Sequence, residues 1–160
     1  MKLYKLDNDL KTFLSLFLIV LSIGVTIGLI YVYSTTSISS IGIIDHYAGS
    51  ETIDEFDIPL KYPKPINEML LTTHNHIISF ALIFFLVGII FYFNTIITGK
   101  IKFFLLLEPL ISTIITFGSL WGIRFIDKSF IFITILSSSI LYLSFYFIVL
   151  ILLYELLIKK

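Results

Sequence analysis

Apolar positions in this chain gather into four long runs, while polar positions collect between the first two runs and near the ends. No charged residue occurs from Thr12 to Ile44, from Met69 to Gly99 or from Ser129 to Tyr154, and Phe103 to Ile123 is interrupted only by Glu108. A helix needs about 20 apolar residues to cross a hydrocarbon core, so each run is long enough to span. The pattern predicts helices at about 12–33, 67–94, 103–124 and 129–157, with one long polar interval at about 34–66. The expected fold is all-α, an antiparallel bundle of four transmembrane helices forming a single membrane domain, because the interval is too short to fold as a soluble domain of its own. Pro59, Pro63 and Pro65 favour an ordered lid across the bundle mouth, with a helical turn near Ile43 to Tyr47.

Helical phase then assigns faces. In the first span Gly24 and Gly28, with Ser22 and Thr26 nearby, predict a close-packing face. The second span starts beside Pro65, with Glu68 complementing its positive end, and carries His74 and His76 in its outer turns. Two residues apart on a helix means about 200°, so these histidines project to nearly opposite sides. His74 is the expected inward one, because its stripe continues through Ala81 and Gly88. The third span aligns Glu108, Ser112, Thr116, Ser119 and Gly122 on one face, which is expected to point into the protein. Asn94 should meet Glu108 at similar depth, with Lys102 snorkelling nearby. In the fourth span Ser137, Ser138, Ser139, Tyr142, Ser144 and Tyr146 are expected to bond backbone carbonyls or adjacent helices, and Glu155 to end the helix on the cytoplasmic side.

A hydrophobic content of 58% against 14% charged agrees with a bilayer environment, which makes lipid the first partner. The first run, at about 22 residues and with no small-x-small site close behind, reads as a retained helix rather than a secretory signal. Net charge is zero, yet Lys2, Lys5, Lys11, Lys100, Lys102, Lys159 and Lys160 fall on one side of the expected topology. By the positive-inside rule both termini are cytoplasmic and the long interval is extracytoplasmic, in a bacterial inner membrane. That outer side carries Asp45, Glu51, Asp54, Glu55, Asp57, Glu68 and Asp127. There is no basic surface suited to nucleic acid. Absence of cysteine excludes disulfides, iron–sulfur clusters and thiolate zinc sites.

The remaining chemistry is sparse. His46, His74 and His76 all lie in or beside the long interval, where imidazoles could ligate a transition metal or hold haem b axially. Trp121 and Arg124, at the outer end of the third span, could stack on a macrocycle and receive a propionate. Their plainer reading is an interface anchor with an Arg124–Asp127 ion pair. Glu108 with Asn94 is the candidate proton-handling pair, an intramembrane carboxyl being a functional candidate by default. No serine, histidine and acid arrangement supports a stand-alone hydrolase.

At His46-Tyr47-Ala48-Gly49, at Thr72-Thr73-His74-Asn75-His76-Ile77 and at Phe84-Phe85-Leu86-Val87-Gly88 the chain resembles small uncharacterised bacterial four-helix membrane proteins. The resemblance covers about residues 38 to 125 and implies no activity, only that the interval and the start of the second span form one unit. Three functional expectations follow from the residues. The first is a subunit of a respiratory or redox assembly with haem or a metal at its outer mouth. The second is a cofactor-free structural or assembly subunit bound to other membrane-protein subunits, and the third a component of a proton or ion pathway through Glu108.

Overall fold

The computed structural model describes residues 2–52 and 58–159, and every regular element among them is helical. Asp54, Glu55 and Asp57, counted above among the acidic residues of the loop, lie outside the described residues. A 3-10 turn, Leu3–Lys5, precedes α1 (Asn8–Thr36), α2 (Ser40–Ala48), α3 (Ile66–Tyr92), α4 (Gly99–Phe125) and α5 (Phe130–Leu157). The four long helices have the length and hydropathy of membrane spans. At 27 to 29 residues each reaches about 40 Å, beyond the roughly 30 Å of hydrocarbon.

Local chemistry explains where the boundaries differ from expectation. α1 starts at Asn8 rather than near 12, because Asp7 Oδ1 accepts the Leu10 N–H at 2.8 Å and caps the helix. Its far end passes the expected residue 33 and stops where Ser37 and Ile38 adopt positive φ. The helical turn expected near Ile43 is a nine-residue helix, α2, capped by Ser39 Oγ on the Gly42 N–H. α3 ends at Tyr92, two residues early, because the Asn94 side chain takes the N–H groups of Ile96 and Ile97 at 2.7 and 2.9 Å.

Packing is unequal across the bundle. α4 and α5 share the most extensive interface, α3 packs on both, and α1 joins the long helices through α5. The lower core unites Phe84, Val87 and Phe91 of α3 with Phe145, Ile148 and Leu152 of α5. A second core at the loop end places Ile43 of α2 against Phe117, Leu120, Ile123 and Ile131. The short helix therefore plugs the mouth.

Between α4 and α5 runs a polar seam. Thr116 donates to Ser137 at 2.8 Å, and Ser119 and Thr134 share a bond of 2.7 Å. Ser112, Ser119, Thr134, Ser137 and Ser144 are all buried, so the polar face of α4 does point inward. Serine and threonine also bond carbonyls of their own helices, as Ser137 does to Ile133 at 2.7 Å. On α1, Thr26 donates to the Ser22 carbonyl at 2.7 Å, which leaves the Tyr146 hydroxyl to donate to Thr26 at 2.7 Å across to α5.

The expected close-packing role of Gly24 and Gly28 is not met within the chain, because both are exposed with no atom within 4 Å of where a Cβ would stand. Gly122 performs that role instead. A Cβ there would lie 2.3 Å from Cδ1 of Phe130, so only glycine lets α5 begin tight against α4. Gly122→Ala should cost about 1–3 kcal/mol through overpacking, whereas Gly118→Ala, facing open space, should be neutral or favourable by up to about 1 kcal/mol through helix propensity. Denaturant unfolding of both variants in detergent checks the contrast.

Candidate functional site

The loop-end mouth is built on α2 and the segment that returns from it. Gly49 ends α2 at φ +87, and a Cβ at this position would stand 2.8 Å from the Pro63 ring, so glycine is required twice over. Ser50 and Lys61 then pair, with the Ser50 N–H on the Lys61 carbonyl at 3.0 Å and the Lys61 N–H on Ser50 Oγ at 2.9 Å. The Lys64 N–H donates to the Tyr47 carbonyl at 3.0 Å, and Arg124 Nε to the Lys64 carbonyl at 3.2 Å. These bonds fasten the return segment to α2 and to the end of α4.

Within this frame His46 Nε2 lies 3.4 Å from the Lys64 ammonium. An ammonium only donates, so the imidazole lone pair is directed at a cation already in place. Partial burial, then Lys64 and Lys61, hold the His46 pKa below its ordinary 6.5, with Glu68 opposing them. Burial pushes the neighbouring Tyr47 hydroxyl up to about 12, helped by Tyr31 and Tyr142. Tyr47 is thus a neutral wall of the mouth.

The three histidines do not converge. Among the described residues no group of three or more His, Cys, Asp or Glu side chains is placed to hold a metal ion. His74, expected to face inward, is exposed, and so is His76. His76 is the one that packs on a neighbouring helix, its ring 5.3 Å from Phe117 of α4, with Nδ1 donating to the Thr72 carbonyl at 2.8 Å. The large Phe117 ring meets His76 at a tilt of 39°, so aromatic contact rather than small-residue clearance decides which histidine faces α4.

Trp121 and Arg124 are engaged within the chain. The Trp121 indole donates to Thr73 Oγ1 at 2.9 Å and stacks on Phe125, locking α4 to the histidine-bearing turn of α3. Arg124 also lies over the Phe125 ring at 4.9 Å. The Arg124–Asp127 ion pair is not made. Asp127 Oδ1 instead accepts the Ser129 N–H at 2.7 Å at the start of α5, and hydrogen bonding by the Ser129 side chain first and its N–H second lowers the Asp127 pKa. The ion pair present among the described residues joins Lys128 to Glu51, whose pKa the lysine lowers.

Glu108 and Asn94 do not pair either. Asn94 spends its amide on the α3–α4 turn, donating to the Phe91 carbonyl at 3.2 Å, while Lys102 donates to the Asn94 carbonyl at 2.8 Å. Lys102 does reach this region, as snorkelling predicts. Glu108 is buried, with Ser112 Oγ donating to Oε1 at 2.5 Å and no partner at Oε2. The carboxyl that reaches across to another element is Glu155. It is wholly buried and accepts the Thr95 N–H at 2.8 Å and the Thr95 hydroxyl at 2.6 Å, with Lys159 donating to that hydroxyl at 2.7 Å.

A family model described as a transmembrane helical domain matches residues 35–160, from the end of α1 through α5. The chain belongs to that family. It is a small family with four apolar helices and no established activity. Curated proteins and solved structures give no match. The matched span contains the whole mouth, both buried carboxyls and the α4–α5 seam, while most of α1 lies outside it.

In this family member Glu155 is the polar residue that the sequence reading treats as a mere helix end. A signal was present, because Glu155 falls seven residues beyond Ile148 and fourteen beyond Leu141, on the buried stripe of α5. The His46 surroundings generate a pH prediction. Because the folded state holds this imidazole below 6.5, the unfolded chain binds its proton first, and stability should fall as pH drops through about 6.5 until the folded imidazole also charges. His46→Gln should flatten that part of the stability–pH curve, and Lys64→Met should move the NMR-titrated imidazole pKa upward.

Proposed function

We propose that the chain is a cofactor-free integral-membrane subunit that assembles with other membrane proteins, using α1 as its docking helix. The observation that carries this reading is the unoccupied Gly24–Gly28 face. Both glycines are open to the outside, flanked by Ile23, Ile27 and Ile30 at 56–61% exposure. Glycines four apart bring no benefit to a helix facing only lipid, but they let a second backbone approach closely. Two glycines also lower helix propensity by about 1 kcal/mol each, a cost with no return inside this chain.

The mouth supports the same reading over a haem or metal site. His46 Nε2 faces the Lys64 ammonium, His74 and His76 are both exposed, and Trp121 and Arg124 are bonded within the chain. The lysines at the terminal end, Lys2, Lys5, Lys100, Lys102 and Lys159, support a cytoplasmic placement of both termini in a bacterial inner membrane. The α2 lid then lies outside.

Native electrophoresis in mild detergent tests the proposal. The wild-type chain should migrate as an assembly larger than its monomer, and Gly24→Leu with Gly28→Leu should release the monomer while leaving helical circular dichroism intact. Identical migration of the two would remove α1 as the docking helix. A Soret band or stoichiometric metal in the purified protein would restore the cofactor reading.

A further inference from the structure

We propose that Glu108, with Ser112 beside it, forms a proton-exchanging carboxyl site within the bilayer, reached from the terminal-end headgroup region along a cleft on α4. This site is independent of the docking role of α1. Glu108 is 6% exposed, one oxygen accepts from Ser112, and Oε2 is buried without a partner. The carboxyl borders a groove of about 280 Å³ on the lipid-facing surface of α4, lined from that helix alone, which runs from Lys100 in the first turn past the exposed Phe103 and Leu107 to Ile111 and Ser112. Nine residues along the helix places Glu108 about 13 Å from the start of α4, deeper than headgroup water yet joined to that level by the cleft.

The charge around Glu108 decides what it can bind. α3 supplies Tyr92 at the near end and Glu68, His74 and His76 at the far one; α5 supplies Tyr142, Tyr146, Tyr154 and Glu155; α2 supplies Asp45, His46 and Tyr47. On α4 itself, Lys102 is bonded to Asn94, Arg124 stands at the opposite end, and Lys100 sits at the cleft entrance. None of these cations makes an ion pair with Glu108 among the described residues. An unneutralised carboxylate in hydrocarbon costs several kcal/mol, and a proton on Oε2 removes the charge while turning the unpartnered acceptor into a donor. Pro109, next in the chain and fully buried, has no N–H for the Leu105 carbonyl, which opens the helix ladder at the same depth. In the exchange step a hydronium ion arriving from the headgroup level gives a proton to Oε2 of the carboxylate and leaves as water, and a water later takes the proton back from the same oxygen and leaves as hydronium.

Glu155 provides the internal control. It is more deeply buried, but both its oxygens accept hydrogen bonds from Thr95, whereas Oε2 of Glu108 has no partner. Dicyclohexylcarbodiimide, which captures protonated carboxyls in apolar surroundings, should modify Glu108 and leave Glu155 unmodified in the purified full chain, as located by peptide mass spectrometry. Infrared spectroscopy should show a carboxylic C=O band that shifts in D₂O and is lost in Glu108→Gln, a variant that keeps the shape of the side chain. Equal labelling of both glutamates, no adduct at Glu108, or a band that does not shift in D₂O would each overturn the proposal.

Discussion

Hydroxyl and carboxyl groups buried in a bilayer have no water to turn to, and the packing of α4 against α5 is organised by that constraint. Thr116 finds Ser137, Ser119 finds Thr134, Ser112 finds Glu108, and Ser119 and Ser137 also donate to carbonyls one turn away. Each interhelical bond contributes modestly, about 0.6 kcal/mol on average in membrane proteins. Their joint effect is to fix the rotation of both helices, because turning either one by a single residue would move its hydroxyls out of register. Gly122 then allows Phe130 to close the α4–α5 turn. With this pair set, α3 fills the remaining side and Glu155 receives the α3–α4 turn through Thr95.

The mouth depends on the same pair. Phe117, Leu120 and Ile123 of α4 and Ile131 of α5 make the apolar seat on which Ile43 of α2 rests. Bonds from Trp121 to Thr73 and from Arg124 to the Lys64 carbonyl then hold α3 and the returning segment against the end of α4. The histidines belong to this construction as structural and electrostatic parts. His46 is beside a lysine, and His76 is one ring in an aromatic layer with Phe80 and Phe117. By contrast α1 adds little to the interior and leaves its glycine face open.

Hydrophobic run length was sufficient to read four spans, and the period of Glu108, Ser112 and Ser119 was sufficient to read the buried face of α4. Those signals are local, since they depend on one helix meeting hydrocarbon. Partner choice was not local. Asn94 matches Glu108 in depth, yet the backbone N–H groups of Ile96 and Ile97 are closer claimants on its side chain. His74 looked inward because Ala81 and Gly88 share its stripe, but the aromatic layer contributed from α4 lies on the side of His76. Gly24 and Gly28 signalled a close approach without saying whether the approaching helix belongs to this chain. The burial of Glu155 was legible from the heptad of Leu141 and Ile148 and was obscured by its nearness to the terminal lysines.

The chain contains no cysteine, so paired substitutions report on the α4–α5 register without background. Thr116→Cys with Ser137→Cys places two thiols where hydroxyl oxygens stand 2.8 Å apart, whereas Ser138, one position round α5, is half-buried and donates to the Ile135 carbonyl of its own helix. After mild oxidation in native membranes, the 116/137 pair should form a disulfide and resist alkylation, and a 116/138 pair should remain reactive. Protection of the 116/138 pair, with 116/137 still free, would contradict the seam and the architecture that rests on it.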